Sequence, residues 1–371
     1  MHKIELSYAL TTETGERGIR NPLIGLLQAV RQEGSISGAA RLLGQSYRHV
    51  WGELRRWEAE LGRGLIVWDK GQPARLTPFG EKLLWAERQA QARLAPQIEA
   101  LHADLERAFA VVFDDRTQVL TLWASHDDGI AALRDHTAVQ GLHLDIRFVG
   151  SVDAIAALNE GRCTLASFHT PPSPAEGTLA QRIYQPLLRP GLHKIIGFAR
   201  RRQGLLVAAG NPQDVRDLAD VAQRGLRFVN RPLGSGTRLL AEQLLLDAGL
   251  RAGQITGWDR IEPSHAAVAE AVASGTADAG LAIESAAHGR ALGFVPLLAE
   301  DYFLVCLKST LEESPVRALR AALADPAWQA RLATLPGYAP ARSGEVLSLS
   351  AQLPWWHFGR RRGTDAGSGT S

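Results

Sequence analysis

Gly34-Ser35-Ile36-Ser37-Gly38-Ala39-Ala40-Arg41-Leu42-Leu43-Gly44-Gln45-Ser46-Tyr47-Arg48-His49-Val50-Trp51 is the stretch from which the rest of the chain is read. Ser35 or Ser37 offers a side-chain oxygen to the free amides of a helix start, and Ile36, Ala39, Ala40 and Leu43 then share one face. The two alanines let a second helix come close. Gly44 supplies the left-handed residue that stops this short helix. Ser46 caps the next one, where Val50, Leu54, Trp57 and Leu61 recur at intervals of four, three and four and form a buried stripe. Tyr47, Arg48, Gly52 and Arg55 lie on the opposite face, and Gly62 ends the helix.

The flanks extend this pattern. Residues 65–68 read as a strand, 69–74 as a turn rich in Gly and Pro, and Arg75-Leu76 as the returning strand. This hairpin forms a wing with Lys70 and Arg75 near phosphates. Thr77-Pro78 is a helix cap with proline at the first helical position. From 79 to about 109, apolar residues at Leu83, Leu84, Leu94, Ile98, Leu101 and Leu105 predict one long linker helix. A short helix, a glycine turn, a serine-opened helix and a basic hairpin form the arrangement that fits one helix into a DNA major groove.

Residues 21 to about 110 resemble the winged helix-turn-helix of ModE-type and LysR-type bacterial regulators. The resemblance is carried by residues 34–40, by Ser46-Tyr47-Arg48 and by Arg75-Leu76-Thr77-Pro78-Phe79-Gly80. It implies a homodimer held partly by the linker helix, with Ser46, Tyr47, Arg48, Trp51 and Arg55 facing the groove of promoter DNA. Helix-face arithmetic leaves a second assignment open, with Tyr47 and Trp51 in the core and Arg55 as a solvated charge.

Composition sets outer limits. A chain of 371 residues, 45% hydrophobic and 22% charged, builds more than one core. The net charge of +2 gives no global basic field, yet residues 41–75 hold seven Arg or Lys against four acids. Cys163 and Cys306 are far apart, without the spacing of a zinc site or a disulfide framework, which fits a reducing cytoplasmic compartment. No segment has the length and apolarity of a signal peptide or a membrane span. No cofactor and no metal site is expected.

Past residue 116 the periodicity changes. Strands are expected at 119–124, 142–149 and 164–168, alternating with helices, which predicts a parallel α/β sheet. Ser125, Ser151 and His169 stand at the carboxyl ends of these strands, where such sheets bind ligands. A second α/β segment places a strand at 226–230 before Arg231-Pro232-Leu233-Gly234-Ser235-Gly236-Thr237-Arg238 and a helix to 248. Ser264 caps a helix to 274, followed by a strand at 277–283 and Glu284. Gly234 and Gly236 let backbone approach a ligand, Ser235 and Thr237 carry hydroxyls, and the helix start aims amides at the crevice. Together these predict an anion site. A nucleotide loop would need Gly-Lys-Ser or Gly-Lys-Thr, which is absent, and a plain capping turn is the other reading.

Residues 116 to about 310 resemble the periplasmic-binding-protein-like domain of bacterial one-component regulators. The residues that carry this are Phe148-Val149-Gly150-Ser151, Phe168-His169, 230–238, Ser264-His265-Ala266-Ala267-Val268-Ala269 and 277–284. The family's loop usually has a polar residue at the place of Pro232. The fold expected is an α+β winged helix-turn-helix at 1–80, a linker and dimerisation helix at 81–115, and a two-lobed α/β domain of type II at 116–345. Lobe I takes about 116–199 and 292–310, lobe II about 200–291, and 346–371 is a partly disordered tail. The tail's Trp355-Trp356-His357-Phe358 is read as a packing anchor.

The cleft between the lobes is expected to close on a small anion. The ModE-like half points to molybdate or tungstate, and regulators of this architecture beside formate dehydrogenase operons point to formate. The ligand residues expected are Ser125, His126, Ser151, His169, Arg231, Gly234, Ser235, Gly236, Thr237, Arg238, His265 and Glu284. His265 has a core or capping role as its alternative, and Glu284 either orients an Arg or His or caps the next helix. The function expected is a ligand-responsive DNA-binding regulator of molybdoenzyme or formate dehydrogenase genes, a homodimer with a tetramer as the larger option. An anion-binding protein or an enzyme acting on a small oxyanion or cofactor precursor is the competing class. Against catalysis, the chain lacks a nucleophile elbow, paired cysteines and a dinucleotide glycine fingerprint.

Overall fold

The computed structural model describes residues 21–68, 72–113 and 118–356. Asn21 caps α1 (Pro22–Glu33) through Leu23 N at 3.1 Å, and Gly34 ends it at φ 60°. Ser35 caps α2 (Ile36–Leu42) through Gly38 N at 3.0 Å, and Ser46 caps α3 (Tyr47–Leu61) through His49 N at 3.2 Å. Strands β1 (Ile66–Val67) and β2 (Arg75–Leu76) form the antiparallel wing, whose tip at 69–71, with Lys70, lies outside the described residues. Leu27, Val30, Ala39, Val50, Leu54, Leu65 and Leu84 are fully buried in one cluster, with Trp57 and Leu61 packed on it. Sequence reading did not draw α1, which supplies six buried residues of this cluster, Leu27 and Val30 among them.

Linker helix α4 (Pro78–Phe113) follows the wing, held at its start by Thr77 Oγ1, which accepts from Gly80 N at 3.1 Å. Gly80 is needed for packing: a Cβ there would stand 2.5 Å from the carbonyl oxygen of Leu65, which a backbone atom cannot yield. Gly80→Ala is therefore expected to destabilise the DNA-binding unit by about 1–3 kcal/mol, measured by thermal unfolding, with an unchanged midpoint as the contrary result.

The α/β part begins with β3 (Gln118–Ala124), α5 (Asp128–Val139), β4 (Leu142–Phe148), α6 (Ser151–Asn159), β5 (Leu165–Thr170) and α7 (Leu179–Tyr184). It continues through β6 (His193–Ala208), α8 (Leu218–Gln223), β7 (Phe228–Val229), α9 (Gly236–Asp247), α10 (His265–Ala273), β8 (Ala279–Ile283) and β9 (Leu292–Leu307). It ends with α11 (Ser314–Ala324), α12 (Pro326–Ala333), β10 (Tyr338–Pro340), β11 (Val346–Leu347) and α13 (Leu349–Gln352). The main sheet runs β4-β3-β5-β9-β6-β8-β7, with β10 and β11 also paired to β6.

The sheet is mixed where a parallel one was expected. β3 pairs in parallel with β4 and β5, and β7 with β8, but β6 and β9 are 16-residue antiparallel strands paired along their length. One end of β9 pairs with β5 and one end of β6 pairs with β8, so these two strands carry the chain between the lobes. The crossing falls near 200–203 and 298–301, and residues 292–298 pair with the lobe II end of β6, whereas the sequence reading put them in lobe I. The sequence reading drew no strand at 193–208, where Arg200-Arg201-Arg202 interrupt the apolar run. In the strand Arg201 is buried while Arg200 and Arg202 are exposed, the period-two pattern of a sheet.

Trp355 is buried at 2% exposure and its Nε1 donates to Pro174 O at 3.2 Å. The expected anchor packs as far as Trp356. His357, Phe358 and the remainder of the tail lie outside the described residues. Among the described residues no helix is long and apolar enough to cross a membrane.

Candidate anion cleft and DNA-facing helix

The crossing strands place four polar side chains at the centre of the α/β part. From β6 come Arg201 and Gln203, from β9 Glu300 and Tyr302, all fully or nearly fully buried. Arg201 Nε donates to Glu300 Oε1 at 2.6 Å, and its Nη1 donates to Asp127 Oδ2, which also accepts from the Tyr338 hydroxyl at 2.6 Å. His169, near the end of β5, pairs through Nδ1 with Glu300 Oε2 at 2.8 Å. Gln203 Nε2 donates to Glu300 Oε1 at 2.9 Å and to Thr237 Oγ1 at 3.0 Å. Burial opposes ionisation of Glu300, but His169 and Arg201 outweigh it and hold the carboxyl at about 2.

The two lobes touch around this network. Gly236, the first residue of α9, lies so close to His169 that a Cβ would sit 2.2 Å from Cε1 of the ring. On the other side Val152 N donates to Gly234 O at 3.4 Å, linking the start of α6 to the 230–238 loop.

Several buried polar atoms of the α/β part have no hydrogen-bond partner, among them Ser125 Oγ, Thr170 Oγ1, Arg201 Nη2, Arg231 Nε and His265 Nδ1. Folded proteins pair nearly all such atoms, so a concentration of them marks a site. Arg231 is the most telling. It is 4% exposed, forms no ion pair with any described residue, and reaches only Glu262 O, through Nη1 at 3.4 Å. Burial, with Arg201 nearby, pushes its guanidinium down to about 9. Ser151 is the first residue of α6, whose cap Gly150 makes no side-chain capping bond; of the amides at that helix start, Val152 N is taken by Gly234 O.

The remaining candidate residues divide. Ser235 Oγ accepts from Arg238 N at 3.2 Å and donates to Pro232 O at 2.8 Å, so its hydroxyl is spent as a helix cap. Arg238 bonds Glu242 through Nε at 2.7 Å and lies 4.6 Å over Trp258, which turns its charge away from the cleft. Glu284 pairs with exposed Arg202 at 2.5 Å and is thus the partner of an arginine on the surface, outside the ligand shell. His126 bonds Glu99 of α4 at 3.0 Å, facing the linker helix. Ser125 does not open a helix, because Asp127 caps α5 through Ile130 N at 3.1 Å. Sequence reasoning missed Arg201, Gln203, Glu300, Thr170, Tyr302 and Tyr338 altogether. Glu300 and Arg201 stand among other charged residues, Asp301 on one strand and Arg200 and Arg202 on the other, and it is the period-two burial of the strands that singles them out.

His265 and His169 give the fold a pH dependence. Burial pushes both imidazoles below the ordinary 6.5, His265 further because Arg231, Arg201, His169 and His126 add to it. Below pH 6.5 the unfolded chain takes up protons that the folded one refuses, so stability falls as pH falls. Thermal midpoints measured from pH 7.5 to 5.5 are expected to drop steadily, and a flat profile would count against buried neutral histidines.

On the DNA-binding unit, Tyr47 and Arg48 at the start of α3 are exposed, and Arg48 makes no ion pair with a described residue. Trp51 is half-buried and meets Trp68 of the wing edge-on at 5.7 Å, with Arg55 stacked over it at 4.3 Å. Arg55 also pairs with Glu58 at 2.8 Å, and Glu58 Oε1 accepts from Leu65 N at 2.7 Å, fixing the wing to α3. Arg75 is exposed on β2.

Cys163 and Cys306 are buried and unpaired, and burial pushes both thiols up to about 11. Among the described residues no three His, Cys, Asp or Glu side chains converge on a metal position.

Comparison with known proteins matches residues 132–324 to a family described as PBP superfamily domain, and residues 23–81 to the bacterial regulatory helix-turn-helix protein, lysR family. The uncharacterized protein YvgK of Bacillus subtilis is 30% identical over 201 residues, 54% of this chain. The chain spans 64% of the length of YvgK, just under two thirds. The molybdenum-pterin-binding protein MopB of Rhodobacter capsulatus is 28% identical over 223 residues, 58% of this chain and 73% of its own length. Among solved structures, a Corynebacterium glutamicum OxyR mutant is 19% identical, with a TM-score of 0.39, and the match covers 81% of this chain and 93% of that one.

Proposed function

Because this chain belongs to the PBP superfamily and carries a LysR-family helix-turn-helix, we propose that it is a cytoplasmic transcriptional regulator, binding promoter DNA and sensing a small anion. Molybdate or tungstate is the leading effector. Arg231 is the observation that carries this reading: a buried guanidinium with no acidic partner among the described residues, its Nε without a hydrogen-bond partner and the Arg201 guanidinium nearby. An anion there relieves the cost of an isolated buried charge and fills the unpaired donors. The name of MopB adds support for molybdenum. Formate is the second reading, favoured by the planar fork of the guanidinium, which matches a carboxylate.

The exposed apolar residues Leu94, Leu101 and Val112 of α4 support a homodimer through the linker helix, with a tetramer built on it as the larger assembly. Anion binding then changes the spacing of two α3 helices on half-sites about one DNA turn apart, and the genes served are those of molybdoenzymes or formate dehydrogenase. A thermal-shift series with molybdate, tungstate, formate, sulfate and nitrate tests the sensor. A ligand at 100 times its dissociation constant is expected to add about 2.7 kcal/mol, and no shift with any of the five rejects the reading.

A further inference from the structure

Helix α4 contains Pro96, which has no amide hydrogen, so the carbonyl of Ala92 four residues earlier loses its helical partner. That carbonyl is occupied from outside the helix. Ser264 Oγ, at the cap of α10 in lobe II, donates to Ala92 O at 2.9 Å. One residue on, Arg93 forms a two-pronged pair with buried Glu262, Nε to Oε2 at 2.9 Å and Nη2 to Oε1 at 2.6 Å. Glu262 also touches the cleft, since its carbonyl accepts from Arg231 Nη1. Lobe II thus grips α4 just before the proline.

Lobe I grips α4 just after it. Glu99 bonds His126 Nε2 at 3.0 Å and lies 3.8 Å from Arg134, both of lobe I. The two grips stand on either side of a position where the helix has no main-chain bond of its own. Any change of angle between the lobes must load α4 at Pro96.

We propose that Pro96 is the hinge through which the cleft acts on the DNA-binding unit, with Ser264, Glu262 and Arg93 as the lobe II handle and His126 with Glu99 as the lobe I handle. The path is short: anion to Arg231, Arg231 to the 262–264 segment, that segment to Ala92 and Arg93, and from there to α4 and the helix-turn-helix. This rests on the sensor reading above, and it names how that sensor reports.

Two measurements on the full chain test it. In the first, operator DNA affinity is compared with and without molybdate for wild type and Pro96→Ala, which returns an amide hydrogen to the helix. Molybdate is expected to bind both proteins with affinities within about twofold, to change DNA affinity in wild type by about 5- to 150-fold, and to change it little in the variant. Equal coupling in both proteins overturns the hinge. Molybdate binding without any effect on wild-type DNA affinity overturns the hinge and the sensor reading together.

The second measurement needs no ligand. Ser264→Ala is expected to speed amide exchange in α4 around residues 97–100 by about three- to tenfold when Pro96 is present, and by less in the Pro96→Ala background, where Ala92 O regains a helical donor. The capping bond from Ala267 N to Ser264, at 3.0 Å, is lost in both backgrounds and cancels in the comparison. Equal acceleration in the two backgrounds overturns the proposed link between Ser264 and Pro96. If molybdate fails to bind wild type, the sensor reading falls on that effector, and this exchange cycle still decides whether Pro96 and Ser264 act together.

Discussion

Arg231→Met is expected to move the protein in two opposite directions at once. Without ligand the variant should unfold at a higher temperature than wild type, because a buried guanidinium with no described acidic partner, held down to about 9 by burial and by Arg201, is replaced by an apolar chain of similar length. With ligand, the gain in stability seen in wild type should vanish. Charged hydrogen bonds contribute about 1.5–3 kcal/mol each, and two of them lost reduce anion affinity by roughly two to four orders of magnitude. A core residue kept only for packing would give neither effect. Lower stability together with unchanged anion response would place Arg231 in the scaffold.

Arg48→Ala is expected to leave the fold intact and weaken DNA binding. Arg48 is exposed on the first turn of α3 and makes no ion pair with a described residue, so no internal contact is lost. Each phosphate contact removed should lower the salt slope of log affinity by about 0.9, hence by nearly two for a dimer with one contact per half-site. Contacts to base edges would add about 1–3 kcal/mol each of lost discrimination. Arg55→Ala makes a useful contrast. Arg55 is bound to Glu58 and stacked on Trp51, so its loss is expected to loosen the wing through Glu58 as well as to change the charge. An unchanged salt slope in Arg48→Ala would mean that α3 does not lie in the groove in this orientation.

The DNA-binding half was largely readable because its signals are local. Ser35, Gly44, Ser46 and Gly62 each act within a few residues of themselves, and the Val50–Leu54–Trp57–Leu61 stripe has the period of a single helix. Trp51 was ambiguous for a physical reason: it is neither core nor bare surface, but lies between Arg55 and Trp68 of the wing. The cleft was readable only in part. Ser151 is a candidate by its place at a helix start beside Gly150, and Arg231 by its charge in the 230–238 loop. Arg201 and Glu300 are not legible in this way, since what makes them central is the pairing of two strands about a hundred residues apart, which no local pattern encodes. Ser235, Arg238 and Glu284 looked like ligand residues by their place in the chain, yet the partners that occupy them are a helix amide, Trp258 with Glu242, and Arg202. Sequence position gives reach, but a side chain already bonded elsewhere is committed to those partners.

The most direct test of the anion cleft is isothermal titration of molybdate, with tungstate and formate alongside, into the full chain and into Arg231→Met. One anion per chain binding to wild type and none to the variant is the predicted result. Equal binding by both proteins, or no binding of any of the three anions by wild type, would contradict a cleft organised around Arg231.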